Sequence, residues 1–326
     1  MKPLMQQSAV VVCMFAAPAF AADVSRANDY PTKPIRLIVP FATGGGTDIV
    51  SRVMAQKVGD ILKQAVVVDN RGGAGGVIGM EMSVRAAPDG YTMGIISGSI
   101  ATTAACCKLP YDPVNDITPI SMIAETGYLL TINPQVPAKS VRELIVYAKA
   151  NPGKINYGSS GTGSTSHLAG EQFDVLAGTK MTHIPYKSSG PALADLIGGQ
   201  IQMVYGSMPL VVPQMSSNRL RVLAITTIKR NRALPDVPTI AESGLPEYET
   251  ITWYGLMGPK GLPRAIVTRW QSALAEAVKS REMKDRLDID GLEVPEIGSE
   301  YLFKTIQRDI AKWTRVVKAG NLKLGN

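Results

Sequence analysis

The chain contains, twice over, a short apolar strand that runs into a loop of glycine and hydroxyl residues and then into a helix. In the first unit, Ile35-Arg36-Leu37-Ile38-Val39 is short, apolar and rich in β-branched residues, as a buried strand requires. Pro40-Phe41-Ala42-Thr43-Gly44-Gly45-Gly46 follows as a loop. Residues 47–64 then place Ile49, Val50, Val53, Met54, Val58, Ile61 and Leu62 on one helical face. The second unit has Ile155-Asn156-Tyr157-Gly158 as strand, 159–165 as a small-residue loop, and 166–177 as a helix closed by Gly178.

The segments between these units keep the alternation. Residues 65–68 read as a strand, and Asn70-Arg71-Gly72-Gly73-Ala74-Gly75-Gly76 as a glycine-rich loop that opens a helix over 79–86. Pro88-Asp89-Gly90 is a turn, and 91–96 a strand ending at Ser97-Gly98-Ser99. Residues 120–124 and 128–132 read as two strands joined by Glu125-Thr126-Gly127. Ser140-Val141-Arg142-Glu143 is a capping box, because the Ser and Glu side chains can satisfy each other's exposed N–H groups. The helix it opens ends near Asn151-Pro152-Gly153. Pro191 starts a short helix that Gly198 and Gly199 stop. Strands follow at 201–205, 221–226 and from Trp253, with helices near 264–280 and 299–318. Strand and helix alternating in this way define the α/β class, with a largely parallel sheet.

The first residues read as a targeting segment. Lys2 supplies a positive charge, an apolar run from Val10 to Ala17 follows, and Ala19-Phe20-Ala21 is the small-x-small pattern that precedes cleavage. The expected signal peptide is 1–22, cut near Ala21 and Ala22, with export to the periplasm. The apolar run is too short to span a bilayer, which takes about 20 residues. Cys13 lies inside it, after Val10-Val11-Val12, which lack the small residues expected before a lipidated cysteine.

The formal net charge of +7 is dispersed, with local clusters only at Arg219 and Arg221 and at Lys229, Arg230 and Arg232. A nucleic-acid reader would concentrate that charge on one face. A diffuse positive field instead favours anions. Cys106 and Cys107 are adjacent, a spacing that suits no zinc motif and allows only a strained vicinal disulfide. They read as two small loop residues, with a redox role as the alternative.

No catalytic motif is present: no GxxxxGK[ST], no HExxH and no GxSxG around Ser159 or Ser160. Gly73-Ala74-Gly75-Gly76-Val77-Ile78-Gly79 misses GxGxxG by one position. The two histidines, His167 and His183, cannot make a metal site alone. The expectation is therefore a binding protein with no metal or organic cofactor. The rival is an exported serine esterase or amidase using a serine of 158–166 with His167.

The loop chemistry suits an anion. Small residues let the backbone approach a ligand, and each following helix turns its unpaired N–H groups and positive dipole end toward the loop. Hydroxyls add donors without charge. The expected ligand contacts are Phe41, Thr43, Gly46, Thr47 and Asp48 in the first unit. In the second they are Ser159, Thr162, Gly163, Ser164 and His167, with Ser99 and Tyr205 as walls. Asp48 has a second reading, as an acidic residue that stabilises its own helix dipole.

At these loops the chain resembles the tripartite tricarboxylate transporter substrate-binding proteins, often called Bug proteins. The resemblance runs from about Tyr30 to the C-terminus. It rests on Tyr30-Pro31-x-Lys33-Pro34-Ile35-Arg36, Val39-Pro40-Phe41-x-x-Gly44-Gly45-x-x-Asp48, Pro88-Asp89-Gly90-Tyr91-Thr92, and Gly158-Ser159-x-Gly161-x-Gly163-Ser164-x-x-His167-Leu168. Pro185-Tyr186-Lys187, Leu234-Pro235-Asp236-Val237-Pro238-Thr239 and Trp253-Tyr254-Gly255 extend it.

The resemblance implies a type II periplasmic binding protein: two α/β lobes joined by crossovers near Thr126 and Thr250, with a ligand cleft that closes by hinge motion. Lobe 1 is expected at 23–126 plus 251–326, and lobe 2 at 127–250. The implied function is capture of a small mono- or dicarboxylate, aliphatic or aromatic, and its delivery to an inner-membrane permease, by a receptor that is a monomer and binds no nucleic acid. A sensing module for a signalling partner is the alternative. Many relatives carry Asp where this chain has Gln202 and Gly206. If those positions face the cleft, their lack of charge argues for a ligand without an ammonium group.

Overall fold

The structure is a computed structural model that describes residues 30–320 and 322. The expected signal peptide lies outside the described residues. The elements below all fall within residues 31–326, which form one contact unit.

The chain opens with β1 (Ile35–Val39), α1 (Gly46–Leu62), β2 (Val66–Asn70), α2 (Val77–Val84), β3 (Thr92–Ser97) and α3 (Ser99–Cys106). β1 pairs in parallel with both β2 and β3. α1 forms where the apolar spacing predicts, burying Val50, Met54, Val58 and Leu62. α3 departs from expectation: residues 99–106, read from sequence as loop, are helical, and Cys106 is the last residue of that helix. It is built of small residues, and Ala101 is buried against Leu168 and Trp313.

β4 (Ile117–Ile132) is one continuous strand of 16 residues rather than two. Its first part pairs antiparallel with β9 (Ile251–Pro259), as far as Gly127↔Ile251. Its last part pairs with β7 (Met203–Ser207) from Tyr128↔Ser207 onward, and with β8 (Arg221–Ile225). Register shifts near Pro119 and Met122 bend the strand without ending it. β4 thus passes from one half of the sheet to the other, and β9 returns beside it.

The second half contains α4 (Val141–Ala150), β5 (Asn156–Ser159), α5 (Thr165–Ala177), β6 (Thr182–Pro185), α6 (Ser189–Ile197) and α7 (Met208–Val211). β5 lies parallel to β6 and β7. The capping box at Ser140 holds in modified form. Ser140 Oγ accepts from the Glu143 N–H, while Glu143 reaches past Ser140 to the Lys139 N–H. The chain closes with α8 (Arg264–Lys279), α9 (Arg281–Ile289) and α10 (Ser299–Ala319). Among the described residues the sheet order is β2-β1-β3-β9-β4-β7-β5-β6, with β8 on β4. The class is α/β as expected, but the central strands are antiparallel.

The two halves carry separate apolar cores. Trp253, Met257, Leu302 and Ile306 anchor one, and α10 is fixed to it by the Trp253 Nε1–H bond to Asp309 Oδ2 at 2.8 Å. Tyr157, Phe173, Tyr205 and Tyr248 anchor the other. A smaller apolar cluster, Ala101, Leu168 and Trp313, packs where the halves meet.

Candidate functional site

Several helix starts meet between the halves of the sheet. Gly45, Gly46 and Thr47 begin α1, Ser99 begins α3, Ser188 and Ser189 begin α6, and all line one cavity. Phe41, Ser97, Ser160 and Ser207 complete its sides, and Tyr128 of β4 and Tyr254 of β9 close it where the chain crosses over. None of these side chains is charged. Burial pushes the Tyr128 hydroxyl up to about 12 and the Tyr254 hydroxyl higher still, so both stay protonated donors. Each helix start carries N–H groups without helical partners and roughly half a positive charge. The arrangement is neutral in side chains and positive in field.

The cavity holds about 20 Å³, room for about one water. The halves touch around it. The Ala42 N–H donates to Lys187 O at 3.1 Å, and the Thr165 N–H to Ser99 Oγ at 3.3 Å. Gly46 lies against Ser207 and Tyr254 so closely that a methyl group there would sit 2.8 Å from Ser207 Cβ and 2.9 Å from the Tyr254 hydroxyl. Only glycine permits that approach.

Of the expected contacts, Phe41, Gly46, Thr47 and Ser99 line the cavity. Thr43 is exposed and its carbonyl accepts from Ser188 Oγ–H at 3.5 Å. Asp48 stands behind the first loop, 4% exposed, accepting from the Gly44 N–H and from Asn70 Nδ2, each at 2.9 Å, and pairing with Arg52 at 2.9 Å. Burial raises its pKa, but the Arg52, Gly44 and Asn70 bonds outweigh this and hold it below the usual carboxylate range. Asp48 thus ties loop to helix and strand, beyond the dipole role.

The second loop is arranged likewise. Ser159 is buried, its Oγ 2.6 Å from His183 Nε2 and accepting the Gly161 N–H at 3.1 Å. Ser164 caps α5, its side chain accepting from the His167 N–H. His167 is buried behind the loop, where its Nδ1 accepts the Gly163 N–H at 3.0 Å and its Nε2 lies 3.6 Å from Glu171. Tyr205 is buried edge-on to Tyr157 in the core. Ser159, Thr162, Gly163, Ser164, His167 and Tyr205 are not among the residues lining the cavity, whereas Ser160 is. Ser159 and His183 form a Ser–His contact, but Ser159 is 1% exposed and offers no open nucleophile.

Gln202 and Gly206 also lie away from the cavity. Gln202 Oε1 accepts the Asn156 N–H at 3.0 Å. Gly206 packs against the Val211 side chain, so an acidic residue there would meet apolar neighbours. The sequence argument about ammonium groups therefore does not apply at these positions. Tyr128, Ser188, Ser189, Ser207 and Tyr254 were not anticipated. Tyr254 stands in the Trp253-Tyr254-Gly255 run and Ser188 just after Pro185-Tyr186-Lys187, so the family pattern marked both places without giving them a role.

Two lobes that share crossing strands around an uncharged, hydroxyl-lined cleft define a solute receptor of the periplasmic binding protein type. Residues 50–322 match the model of the tripartite tricarboxylate transporter family receptor, and the chain belongs to that family. Protein BugT of Bordetella pertussis is 37% identical over 320 residues, covering 97% of this chain and 98% of that protein. A solved R. palustris structure with adipate has a TM-score of 0.86 at 35% identity, covering 90% of this chain and 98% of its own. MatC of Rhodopseudomonas palustris with bound malate has a TM-score of 0.85 at 31% identity, covering 88% and 100%. The chain is thus a solute-binding receptor of a periplasmic transporter family, not an enzyme.

Proposed function

We propose that the protein captures a small carboxylate in the cleft and presents it to a membrane permease. The observation that carries this reading is the convergence of the α1, α3 and α6 starts on a cavity lined by hydroxyls and free of charged side chains. A carboxylate there meets helix-end N–H groups and neutral donors, which need no counter-charge. Relatives solved with adipate and malate support the same ligand class.

The proposed lobes are 23–126 plus 251–326 and 127–250, and the change of partner of β4, from β9 at Gly127 to β7 at Tyr128, supports that division. The ligand contacts are Gly46, Thr47 and Ser99 from one lobe, Ser160, Ser188 and Ser207 from the other, and Tyr128 and Tyr254 from the crossover. Asp48, Ser159, Gly163, Ser164 and His167 hold the loops from behind. A cavity of about 20 Å³ admits a dicarboxylate only after the lobes part, so binding proceeds by opening and reclosure. The protein works in the periplasm after removal of residues 1–22, as a monomer.

A thermal-shift screen of unfolded and refolded mature protein tests this, with malate, adipate, citrate, acidic amino acids and benzene carboxylates. A ligand at 100 times its Kd adds roughly 2.7 kcal/mol and raises the melting midpoint. No shift with any carboxylate in a folded sample rejects the assignment.

A further inference from the structure

We propose that Cys106 and Cys107 form a dithiol site that closes into a vicinal disulfide by exchange with a protein or glutathione disulfide, and that this oxidation loosens the ligand loop of the facing lobe. The two Sγ atoms lie 2.8 Å apart, both thiols are free, and both are half-buried rather than sealed in the core. They stand at the seam between lobes. A methyl group built on Gly163 would lie 3.0 Å from Cys106 Sγ and 3.1 Å from Cys107 Sγ, so the second loop packs directly on the pair. Gly163 has φ +80 and its N–H is held by His167 Nδ1, which leaves that loop little freedom to yield. The pair also ends α3, the helix whose first residue, Ser99, lines the cavity.

The two sulfurs differ. Cys106 has a second acceptor in Thr103 O, at 3.8 Å. The Cys106 thiol beside it draws Cys107 down to about 7, whereas Cys106 itself is pushed up by the Cys107 sulfur and by burial. Cys107 is therefore the attacking thiolate. Its sulfur attacks one sulfur of the oxidant disulfide, that S–S bond breaks, and the second oxidant sulfur leaves as a thiolate. Cys106 then gives its proton to the departing thiolate and attacks Cys107 Sγ, breaking the mixed disulfide and releasing the other oxidant sulfur. The pair loses two electrons and two protons, and the oxidant disulfide becomes two thiols.

Closure requires an S–S distance near 2.05 Å and a Cβ–S–S–Cβ dihedral near 90°, which adjacent residues reach only by distorting the backbone between them. The Cys107 N–H bond to Thr103 O, 2.9 Å, which ends α3, lies in that stretch. The sulfurs cannot move without changing the surface on which Gly163 rests. A ring so strained is easily reduced again.

The test uses the mature protein equilibrated with oxidised glutathione and then with dithiothreitol. Intact mass and maleimide uptake are read with no ligand present, so failure of the carboxylate reading leaves this result intact. The oxidised wild type is expected to lose two hydrogen masses, take up no maleimide and remain a monomer; reduction restores two reactive thiols. Cys106→Ser should trap glutathione on Cys107, and Cys107→Ser should trap it on Cys106 several-fold more slowly. Amide hydrogen exchange over residues 159–167 should be several-fold faster in the oxidised form. Two thiols that stay reactive in oxidised glutathione, or disulfide-linked dimers, overturn the site. A disulfide with unchanged exchange at 159–167 overturns its coupling to the loop.

Discussion

His167 and His183 stack with ring centroids 3.7 Å apart and planes 20° from parallel. Each ring holds one part of the second loop: His183 through Ser159 Oγ, and His167 through the Gly163 N–H. The only two histidines in the chain therefore serve as a paired support behind the cleft wall.

Replacing His183 by Ala removes one ring of that pair and leaves the buried Ser159 hydroxyl with fewer partners. The expected loss is about 1–3 kcal/mol of unfolding free energy, read by urea denaturation. His183→Asn, which keeps a polar side chain that can reach toward Ser159, should recover part of it. Equal stability of wild type and His183→Ala would remove the pair from the account.

Acid should weaken the fold through the same cluster. Burial first, and then the stacked His167, push His183 down to about 3, against the opposing pull of Glu171. The unfolded chain protonates this imidazole near 6.5 while the folded protein does not. Its contribution is full above pH 6.5 and declines as pH falls from 6.5 toward 3. Burial raises the Glu171 pKa, but bonds from His167 and Tyr157 outweigh this and lower it overall, so its contribution also fades on acidification. A denaturation midpoint followed from pH 8 to pH 4 should fall, and should fall less in His183→Asn.

Asp48 organises the first loop as the histidines organise the second. Asp48→Ala removes the acceptor of the Gly44 N–H and of one of the two Asn70 amide bonds, leaving only that to Phe41 O. A cost of about 2–3 kcal/mol is expected for losing hydrogen bonds to a charged group. Ligand affinity should fall as well, because residues 44–47 lose their anchor. Guanidinium denaturation and a binding titration on the same sample separate the two effects.

Gly46→Ala tests the close approach at the start of α1. Alanine suits the first turn of α1, but its methyl group would meet Ser207 of the other lobe. Carboxylate affinity, read by calorimetric titration, should drop by at least about tenfold, or 1.4 kcal/mol.

The loops could be read from the sequence because their signal is local. Glycine, hydroxyl residues and the apolar helix that follows lie within about ten residues of one another, and α1 and α5 begin within a residue of the expected positions. The walls had no such signal. Ser207 and Tyr254 come from strands far apart in sequence and meet only because the sheet runs β9-β4-β7. Ser160 and Ser159 are neighbours of similar chemistry, and only the fold sends one to the cavity and the other toward His183 at the end of β5. The continuity of β4 was hidden by Gly127, whose small size reads as a turn but here lets Ile225 and Thr227 pack against the strand.

The central claim is that a carboxylate binds at the start of α1 between the lobes, and calorimetric titration of stripped wild type and Thr47→Glu tests it most directly. The account predicts one site per chain for at least one carboxylate of the malate–adipate class in the wild type, and none in Thr47→Glu, where a fixed carboxylate occupies that helix end. Equal binding by both proteins, or no carboxylate binding by folded wild type, would contradict it.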